Sequence, residues 1–160
     1  MQTLVSETIQ QVRDLAYRLR PVELDEFGLS RALEILVSDM TKGTHLKNSC
    51  QCMDDEQGLS QEVQVVLYRI AQESLTNILR HAKASHLSLI LRQDAEKIVM
   101  IIEDDGIGFD PGNPNIRNGE RHLGLISIRE RAEILGGTLD VYTAPGEGTS
   151  IHVSIPVSVN

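Results

Sequence analysis

The longest regular pattern in the chain is a helical one that runs from Ser60 to Ala82. Apolar residues recur in it at steps of three and four, the spacing that places them on one face of an α-helix. Ser60 precedes the pattern as a candidate N-cap, and Glu62 in the first turn favours the helix dipole. The segment therefore predicts one long helix whose buried face consists of Val63, Val66, Leu67, Ile70, Ser74 and Ile78.

Two apolar runs typical of β-strands follow this helix, at residues 86–92 and 98–102. The polar connection between them, QDAEK, is short, so the two runs are predicted to form a hairpin. Residues 104–121 are rich in Gly, Asn, Pro and charge, and we interpret them as a long loop. Loops of that length in a compact domain are usually functional or disordered. Residues 45–53 form a further strand candidate on a weaker signal.

The last part of the chain predicts one helix and two strands. The helix covers residues 123–135 and stops at Gly136 and Gly137, because glycine commonly ends a helix. The strands cover residues 138–143 and 149–156 and are joined by the turn APGEG. No internal repeat and no low-complexity tract is present in the sequence.

The beginning of the chain, residues 1–20, carries an apolar stripe at helical spacing. Pro21 ends this pattern, because proline disfavours helix for the residue before it. A linker, PVELDEFG, is predicted next, and then a second helix over residues 30–40 with Ser30 as its N-cap. We interpret the first helix as a stalk that packs against a partner helix. Its stripe consists of Val5, Ile9, Val12, Ala16 and Leu19.

Charge and composition argue against several classes of protein. The formal net charge of -8 disfavours non-specific binding to nucleic acid, where Lys and Arg must neutralise phosphates. No apolar run approaches the roughly 20 residues of a membrane span, and the first residues do not resemble a signal peptide. Cys50 and Cys52 are too few for a structural zinc site and, two apart in a strand, are poorly arranged for a disulfide. We expect free thiols in a reducing cytoplasm.

Three polar side chains recur on the long helix at steps of four, namely Glu73, Asn77 and His81. At that spacing they form a shallow stripe beside the predicted buried face. Polar groups next to a buried face lie at the edge of the core, where a pocket would open. The alternative is an ordinary polar flank of the helix. Asn77 is the unusual member, since a half-buried asparagine inside a helix needs a hydrogen-bond partner.

The segment DDGIGFD, residues 104–110, follows directly on an apolar strand. Gly106 and Gly108 allow a positive φ and a close approach of the backbone to a ligand. A carboxylate at the strand end, here Asp104, suits a planar base that donates an amino hydrogen. An acidic turn is the plain alternative. Calcium binding by the three aspartates is another, although the spacing and the closing Glu of an EF-hand are absent.

Two further glycine segments complete the pattern. Gly124 is predicted at a helix start, where free N–H groups and the helix dipole favour phosphate. The segment GEGTS, residues 146–150, places a hydroxyl at the entry to the last strand, although a tight hairpin turn would also explain its glycines. None of these signals is decisive alone, and the specific feature is their order along the chain.

In that order the chain closely resembles the GHKL superfamily of ATPases and kinases, and within it the histidine kinases of the nitrate-sensor and degradation-sensor type. RIAQESLTNILRHAKAS looks like the N box of that subfamily, and DDGIGF looks like its G1 box. HLGLISIRERAEILGG resembles the G2 region, and GEGTSIHVSIP the closing turn and strand. VRDLAYRLRPVELDEFGLSRAL resembles the second helix of the dimerisation bundle with its link to the catalytic domain.

The resemblance implies an α+β fold, a two-layer sandwich with helices packed on one face of a mixed sheet, preceded by an N-terminal helical stalk. Residues 1–28 would be the second bundle helix and linker, and residues 29–160 the ATP-binding catalytic domain. The implied activity is transfer of the ATP γ-phosphate to a histidine for relay to a response regulator. The implied setting is cytoplasmic, with a parent protein that forms a homodimer and is anchored in the membrane in some members.

The resemblance also assigns roles to individual residues. Asn77 would hold Mg²⁺ bridging the phosphates, and Glu73 would be the general base or water-positioning group. Asp104 would bind the adenine amino group. The remaining implied nucleotide contacts are Gly106 and Gly108 beside the base, Thr149 through its hydroxyl, Gly124 and Leu125 at the phosphates, and His81 and Lys83 as further phosphate contacts.

The acceptor histidine of the family lies on the first bundle helix, in a His followed by acidic and basic residues. None of the five histidines of this chain has that context. We therefore expect the chain to bind ATP without efficient phosphorylation of itself. Two alternatives remain at this point. One is a serine kinase of the same superfamily, such as an anti-sigma-factor kinase, and the other is a degenerate module that holds nucleotide or nothing.

Overall fold

The computed structural model describes residues 4–9, 11, 20–56, 58–117 and 119–157. A π-helical turn (Ile78–Ala82) directly continues the long central helix. The elements, in chain order, are α1 (Val22–Thr41), β1 (Lys47–Gln51), α2 (Gln61–Asn77), β2 (His86–Gln93), β3 (Lys97–Asp104), α3 (Pro114–Arg117), α4 (Glu120–Ile134), β4 (Thr138–Thr143) and β5 (Thr149–Pro156).

The strands form one mixed sheet in the order β1-β2-β3-β5-β4. β1 runs parallel to β2, and the other neighbours are antiparallel. The hairpin predicted from the connection QDAEK is therefore confirmed as β2–β3. Because β5 lies between β3 and β4, Asp104 at the end of β3 is opposite Thr149, and Thr149 is opposite Thr143. Three polar residues thus meet at one end of the sheet.

One face of the sheet is buried under α1, α2 and α4, which confirms the predicted two-layer α+β fold. Alternate residues of each strand point to this face, as the period of two of a β-strand requires. The buried face predicted for α2 is also confirmed, since all six of its residues are buried. The buried residues of the sheet are Leu87, Leu89, Leu91, Ile98, Met100, Ile102, Leu139, Ile151, Val153 and Ile155.

The start of α1 differs from the sequence prediction. The helix begins at Val22, inside the segment predicted as a linker, and it bends at Gly28, where φ is 78°. The residue predicted as the N-cap, Ser30, does not cap it. After the bend, the backbone N–H groups of Leu29 and Ser30 donate to the carboxylate of Glu56. A distant side chain therefore stabilises the helix restart, and local sequence cannot reveal such a cap.

The predicted stalk is described only in part. Residues 4–9 and 11 are helical, and Leu4, Val5 and Ile9 are exposed. The other stripe residues, Val12, Ala16 and Leu19, lie outside the described residues. The domain boundary between residues 28 and 29 falls at the bend in α1 and stays a prediction. In the part of the chain that the structure describes, no helix is long and apolar enough to cross a membrane.

The segment before β4 also differs from its prediction. The short helix α3 lies inside the predicted loop, and α4 begins at Glu120 rather than at residue 123. Gly124 consequently lies inside α4 rather than at its start. The predicted end of the helix is confirmed, because Gly136 follows with a positive φ of 73°. What Gly124 contributes therefore depends on what α4 packs against.

Candidate functional site

A small cavity lies between α2, α4 and the buried face of the sheet, with a volume of about 30 Å³. That volume admits about two water molecules, so α4 and the loop before it must move outward for a larger molecule to enter. Five of the residues predicted for the site line this cavity. They are Asn77, Asp104, Gly108, Leu125 and Thr149, and Ser74, Ile78, Ala82, Ile102, Phe109, Arg121 and Ile151 complete the lining.

Asp104 supplies the carboxylate of the cavity from the last position of β3. One of its oxygens, Oδ1, accepts a hydrogen bond of 2.8 Å from the backbone N–H of Gly106. Burial raises the pKa of Asp104, the bond from Gly106 opposes this, and the nearby charge of Asp105 adds to the rise. The carboxylate retains acceptor capacity beyond the Gly106 bond. It is therefore suited to accept a hydrogen bond from a ligand.

The hydroxyls of Thr143 and Thr149 form a directed chain at the same end of the sheet. Thr143 donates to the carbonyl oxygen of Gly148 over 2.9 Å and accepts from the N–H of Phe109 over 3.1 Å. The hydroxyl oxygens of Thr143 and Thr149 are 3.1 Å apart. Since the proton of Thr143 is already used, Thr149 donates to Thr143 and presents its lone pairs to the cavity. Thr143 carries no signal in the sequence, and only the strand register identifies it.

Gly106 and Gly108 let the loop after β3 pack directly against other backbone segments. A Cβ at Gly106 would lie 2.2 Å from the carbonyl oxygen of Ala82, and one at Gly108 would lie 2.0 Å from that of Ala144. Of the two, only Gly108 has a positive φ, 57°, so that part of the prediction for Gly106 is wrong. Gly108 lines the cavity, whereas Gly106 is not one of its lining residues. The closeness of either glycine to a bound base stays a prediction.

Glu73 and Asn77 meet Gly124 where α2 packs against α4. A Cβ at Gly124 would lie 2.6 Å from Oε1 of Glu73 and 3.0 Å from Nδ2 of Asn77. Gly124 thus allows the helices to approach closely, and it does not provide a free helix end. The Nδ2 atom of Asn77 is buried and has no hydrogen-bond partner among the described residues. A buried polar atom of this kind calls for a ligand or water.

His81 and Lys83 lie outside the lining of the cavity. The predicted stripe assumed α-helical spacing, but the turn from Ile78 to Ala82 is π-helical, with bonds from residue i to i+5. This turn changes the angular position of its residues, and Ala82 rather than His81 lines the cavity. Lys83 follows with a left-handed φ of 49° and is exposed. π-helical turns occur frequently at functional sites, and no local pattern in the sequence predicts this one.

Arg121 and Phe109 are cavity residues that the sequence analysis did not single out. The guanidinium carbon of Arg121 lies 4.9 Å from the centre of the Phe109 ring, a cation–π distance. Burial lowers the pKa of Arg121, and the charge of Asp104 opposes that shift. Both side chains connect α4 and the loop after β3 across the cavity. Their contact spans the cavity, which is small in this structure.

Asp105, the neighbour of Asp104, connects two strands beside the site. Its Oδ1 accepts from the backbone N–H groups of Ser85 and His86 at 2.7 and 2.8 Å, and its Oδ2 lies 3.1 Å from Nδ1 of His86. These bonds fix the end of β3 to the start of β2 and lower the pKa of Asp105, the His86 N–H most. The calcium alternative lacks support, since the described ranges contain no group of three or more metal-ligating side chains.

A larger concavity of about 850 Å³ lies on the solvent-facing side of the sheet. The side chains of Glu103, Ser150 and Tyr142 belong to this side, and Ser150 donates to Glu103 over 2.9 Å. The concavity is wide and open, and Asp104 and Thr149 also border it. Both, however, occupy strand positions in phase with the buried residues Ile102 and Ile151, and Asn77 lines the small cavity without bordering the concavity. The cavity under α4 therefore remains the candidate site.

The family model described as "Histidine kinase-, DNA gyrase B-, and HSP90-like ATPase" matches residues 62–159. This range contains α2, the loop after β3, α4 and the final strands, and with them every predicted site residue. The chain belongs to this ATPase family. The resemblance to GHKL ATPases that the motifs predicted is thereby confirmed, and the cavity between α2 and the sheet lies within the matched ATPase domain.

Individual relatives of this ATPase domain are kinases by name. The chain is 31% identical to the signal transduction histidine-protein kinase/phosphatase DegS of Brevibacillus brevis, over 99% of the chain and 40% of that protein. It is 38% identical to UhpB of Salmonella typhimurium, also named a histidine-protein kinase/phosphatase, over 91% of the chain and 28% of that protein. The chain thus spans less than half the length of these curated relatives.

A solved structure agrees with the fold of the ATPase domain. It is the histidine kinase domain of a blue-light activated histidine kinase from Erythrobacter litoralis, which superposes with a TM-score of 0.64 at 25% identity. The match covers 81% of this chain and 59% of that one. The predicted two-layer arrangement is therefore also found in a related kinase domain.

Replacing Gly124 by alanine is expected to weaken ATP binding about tenfold. The methyl group would displace Glu73, 2.6 Å away, and press on Asn77, 3.0 Å away, and lost hydrogen bonds to a ligand cost about 1–3 kcal/mol. Thermal stability should not fall much, since alanine gains roughly 1 kcal/mol over glycine inside a helix. Calorimetric titration with ATP and thermal unfolding measure the two effects. Gly119→Ala, at the N-cap of α4, is the control for ATP affinity, because the nearest neighbours of its added Cβ are 3.6 Å away. Equal ATP affinities of the Gly124 and Gly119 variants would contradict the placement of the nucleotide beside Gly124.

Proposed function

We propose that this chain is the ATP-binding catalytic domain of a sensor histidine kinase, which transfers the γ-phosphoryl group of ATP to a histidine for relay to a response regulator. The observation that carries the proposal is that Asn77, Asp104 and Thr149 line one cavity of an ATPase-family domain. The names of the two curated relatives support the histidine kinase reading. ATP is the substrate in this reading.

The adenine base would lie at the end of the sheet, on Asp104. Its exocyclic amino group donates to the free acceptor positions of the carboxylate, whose Oδ1 is already oriented by the N–H of Gly106. Thr149 supports the base through its hydroxyl oxygen, which the bond to Thr143 leaves free to accept. Ile102 and Ile151 lie side by side on the buried face of the sheet and suit one face of a planar ring, and Ile78 lines the cavity from the helix layer.

The phosphates would lie between α2 and α4. The buried Nδ2 of Asn77 fits an acceptor such as a phosphate oxygen, and its amide oxygen fits Mg²⁺, which prefers oxygen ligands and keeps several waters. Mg²⁺ held there would neutralise the charge of the phosphates. Gly124 and Leu125 on α4 contact the phosphates in this arrangement, and His81 and Lys83 approach them when α4 moves outward. Asn77 is the one metal ligand proposed from the chain.

Glu73 is the candidate general base or water-positioning group. It is half-buried one helical turn before Asn77, and its Oε1 faces the backbone of α4 at Gly124. Phosphoryl transfer depends mainly on positioning and on stabilisation of charge. A single carboxylate near the phosphates is therefore enough to orient the nucleophile or accept its proton. In this position Glu73 orients an incoming imidazole or water.

Nucleotide entry requires the contact between Arg121 and Phe109 to open. The cavity of about 30 Å³ is too small for an adenine ring, and Arg121 lies next to Asp104. Outward movement of α4 separates Arg121 from the Phe109 ring and frees the carboxylate of Asp104 for the base. The guanidinium then becomes available to the phosphates, which are better partners for it than an aromatic face.

The proposed partners follow from the same reading. The helix that includes residues 4–9 has exposed apolar side chains at Leu4, Val5 and Ile9, which fits a helix that pairs with a second copy in a homodimeric bundle. The acceptor-histidine helix of the parent protein and a response regulator are the macromolecular partners of the transfer. We place the reaction in the cytoplasm, where ATP and response regulators are found.

Two other functions are less well supported. A serine kinase of the same superfamily would not account for the two relatives named as histidine-protein kinases. A degenerate module would not need the chemical groups of Asn77 and Asp104 in one cavity. The test below separates the kinase from the degenerate module.

Replacing Glu73 by glutamine is expected to lower phosphoryl transfer about 100-fold or more, the typical contribution of a general base, with little change in ATP affinity. Transfer is measured with radiolabelled ATP to a histidine-bearing dimerisation domain of a relative, supplied with the chain, and affinity is measured by calorimetry. Glu62→Gln on the exposed first turn of α2 is the control. Unchanged phosphoryl transfer by the Glu73 variant would show that Glu73 has no catalytic role. Absence of ATP binding by the unsubstituted chain would favour a degenerate module.

A further inference from the structure

The sulfur atoms of Cys50 and Cys52 lie closer together than we expected for two residues that are two apart in a strand. Cys50 belongs to β1, whose last residue is Gln51, and Cys52 follows just after the strand ends. The two Sγ atoms are 3.5 Å apart, and both side chains are half-buried at the edge of the core. Because Cys52 is free of the sheet ladder, its backbone is not held at the strand geometry. Both cysteines are free thiols in this structure, as the sequence predicted, but their sulfur atoms are in contact.

The two thiols differ in their electrostatic environment. A hydrogen bond from the thiol of Cys52 lowers the pKa of Cys50, while burial and the charge of Glu34 act in the opposite direction. The same pairing raises the pKa of Cys52. A thiolate, not a thiol, is the attacking species in thiol–disulfide exchange. The hydrogen-bonded pair thus favours a thiolate on one sulfur, here taken as Cys50, and leaves the other thiol beside it to resolve a mixed disulfide.

We propose that Cys50 and Cys52 form a redox modification site that closes reversibly to an intramolecular disulfide in exchange with a low-molecular-weight disulfide of the glutathione type. The Cys50 thiolate attacks one sulfur of the reagent, the reagent's S–S bond breaks, and one reagent thiolate leaves. Cys52 then gives its proton to solvent and attacks the sulfur of Cys50, and the second reagent thiolate leaves. The protein loses two electrons, and the reagent is reduced to two thiols.

The short ring of this disulfide makes it easily reversible. The bond would close only the segment Cys-Gln-Cys, and the smaller the closed loop, the less it restricts the unfolded chain. Strained or exposed disulfides are the labile ones in exchange with small thiols. A metal site is the weaker reading of the pair, since the described residues contain no third His, Cys, Asp or Glu that completes a metal-binding group.

Closure would act on the chain that leads to the bend in α1. Only three residues separate Cys52 from Glu56, whose carboxylate accepts from the N–H groups of Leu29 and Ser30 beside Gly28. To form the disulfide, the two sulfur atoms must move from contact at 3.5 Å to bonding distance, and this movement displaces Cys52. The segment that carries Glu56 is therefore the part of the fold that responds first. Neither cysteine lines the candidate ATP cavity, so the inference is independent of the proposed function.

The test is treatment of the folded chain with glutathione disulfide, followed by trapping of free thiols with N-ethylmaleimide and intact-mass measurement. The expected product has lost two hydrogen atoms, takes up no N-ethylmaleimide and returns to two free thiols with reduced glutathione. The Cys50→Ser and Cys52→Ser variants should instead each retain one glutathione, because neither has a partner thiol to release it. Far-UV circular dichroism checks that all three proteins stay folded.

Three outcomes would overturn the proposal. The first is a wild-type chain that keeps two trappable thiols in excess glutathione disulfide while both single variants remain equally unreactive. The second is a wild-type chain that accumulates a glutathione adduct instead of the internal bond. The third is a disulfide between two chains, detected as a doubled mass under non-reducing conditions.

Discussion

Replacing Asp104 by asparagine is expected to weaken ATP binding by about 10- to 100-fold, as an unpaired buried polar group costs about 1–3 kcal/mol. The reason lies in the bond from the N–H of Gly106 to Oδ1. In the variant this N–H requires the amide oxygen, so the NH₂ group of the asparagine turns to the cavity. A donor then faces the amino group of adenine, which is also a donor. Calorimetric titration with ATP and Mg²⁺ measures the loss.

The same substitution is expected to leave the stability of the fold unchanged or slightly higher. Burial raises the pKa of Asp104 in the folded chain. A carboxyl group with a raised folded pKa favours folding at low pH, and this contribution is lost as pH rises through the unfolded and then the folded pKa. At neutral pH the ionised Asp104 therefore destabilises the fold relative to a neutral amide. The advantage of the variant should grow as pH is raised from acid to neutral.

Asp140→Asn is the matched control for both effects, since Asp140 is an exposed residue of β4. It should change neither ATP affinity nor thermal unfolding. If Asp104→Asn strongly lowered the unfolding temperature, and the loss of ATP affinity were no larger than the loss of folded protein explains, Asp104 would be a structural residue. Full ATP affinity in the Asp104 variant would place the base elsewhere.

Replacing Gly148 by alanine is expected to produce a large loss of stability. Gly148 has a φ of 69°, and a Cβ there would lie 2.1 Å from the carbonyl oxygen of Asp104. A left-handed non-glycine residue costs about 1–2 kcal/mol, and overpacking against a backbone atom that cannot turn away adds about 1–3 kcal/mol. The free energy of unfolding, measured in urea, should fall accordingly. β5 must also shift from β3, which separates Thr149 from Asp104 and weakens ATP binding.

Gly146→Ala isolates the effect of the contact from that of the backbone angle. Gly146 lies two residues earlier in the same turn and has a φ of 82°, but nothing lies within 4 Å of its added Cβ. This variant should lose only the cost of the left-handed angle and should bind ATP normally. Equal losses in the two variants would show that the approach of Gly148 to Asp104 does not matter.

Most of the fold follows from hydrophobic periodicity, and the exceptions follow from contacts distant in sequence. The runs that became β2, β3, β4 and β5 each alternate or are bounded by turn residues, which local patterns reveal. The turns of α1 before Gly28 were predicted as a linker, and the helix after Gly28 is capped by Glu56 rather than by the predicted Ser30. The π-helical turn was not predicted, since its residues fit α-helical spacing equally well.

The residues of the candidate site were also predictable only in part. Asp104, Gly108 and Asn77 were recognisable because their residue types occur at fixed places relative to a strand or helix. Arg121 gave no signal, as its role depends on how α4 closes over the cavity. Thr143 depends on the register between β4 and β5. Gly124 was predicted for the wrong reason, because the true start of α4 places it in the helix interior against Asn77.

The central claim is that a nucleotide occupies the cavity between α2 and the sheet with its base on Asp104. A crystal structure of the chain with Mg²⁺ and a non-hydrolysable ATP analogue tests it most directly. We predict the amino nitrogen of adenine within hydrogen-bond distance of the Asp104 carboxylate, the phosphates beside Asn77, and Arg121 withdrawn from Phe109. A nucleotide bound instead in the concavity beside Glu103 and Tyr142, with α4 still closed over Asp104, would contradict the account.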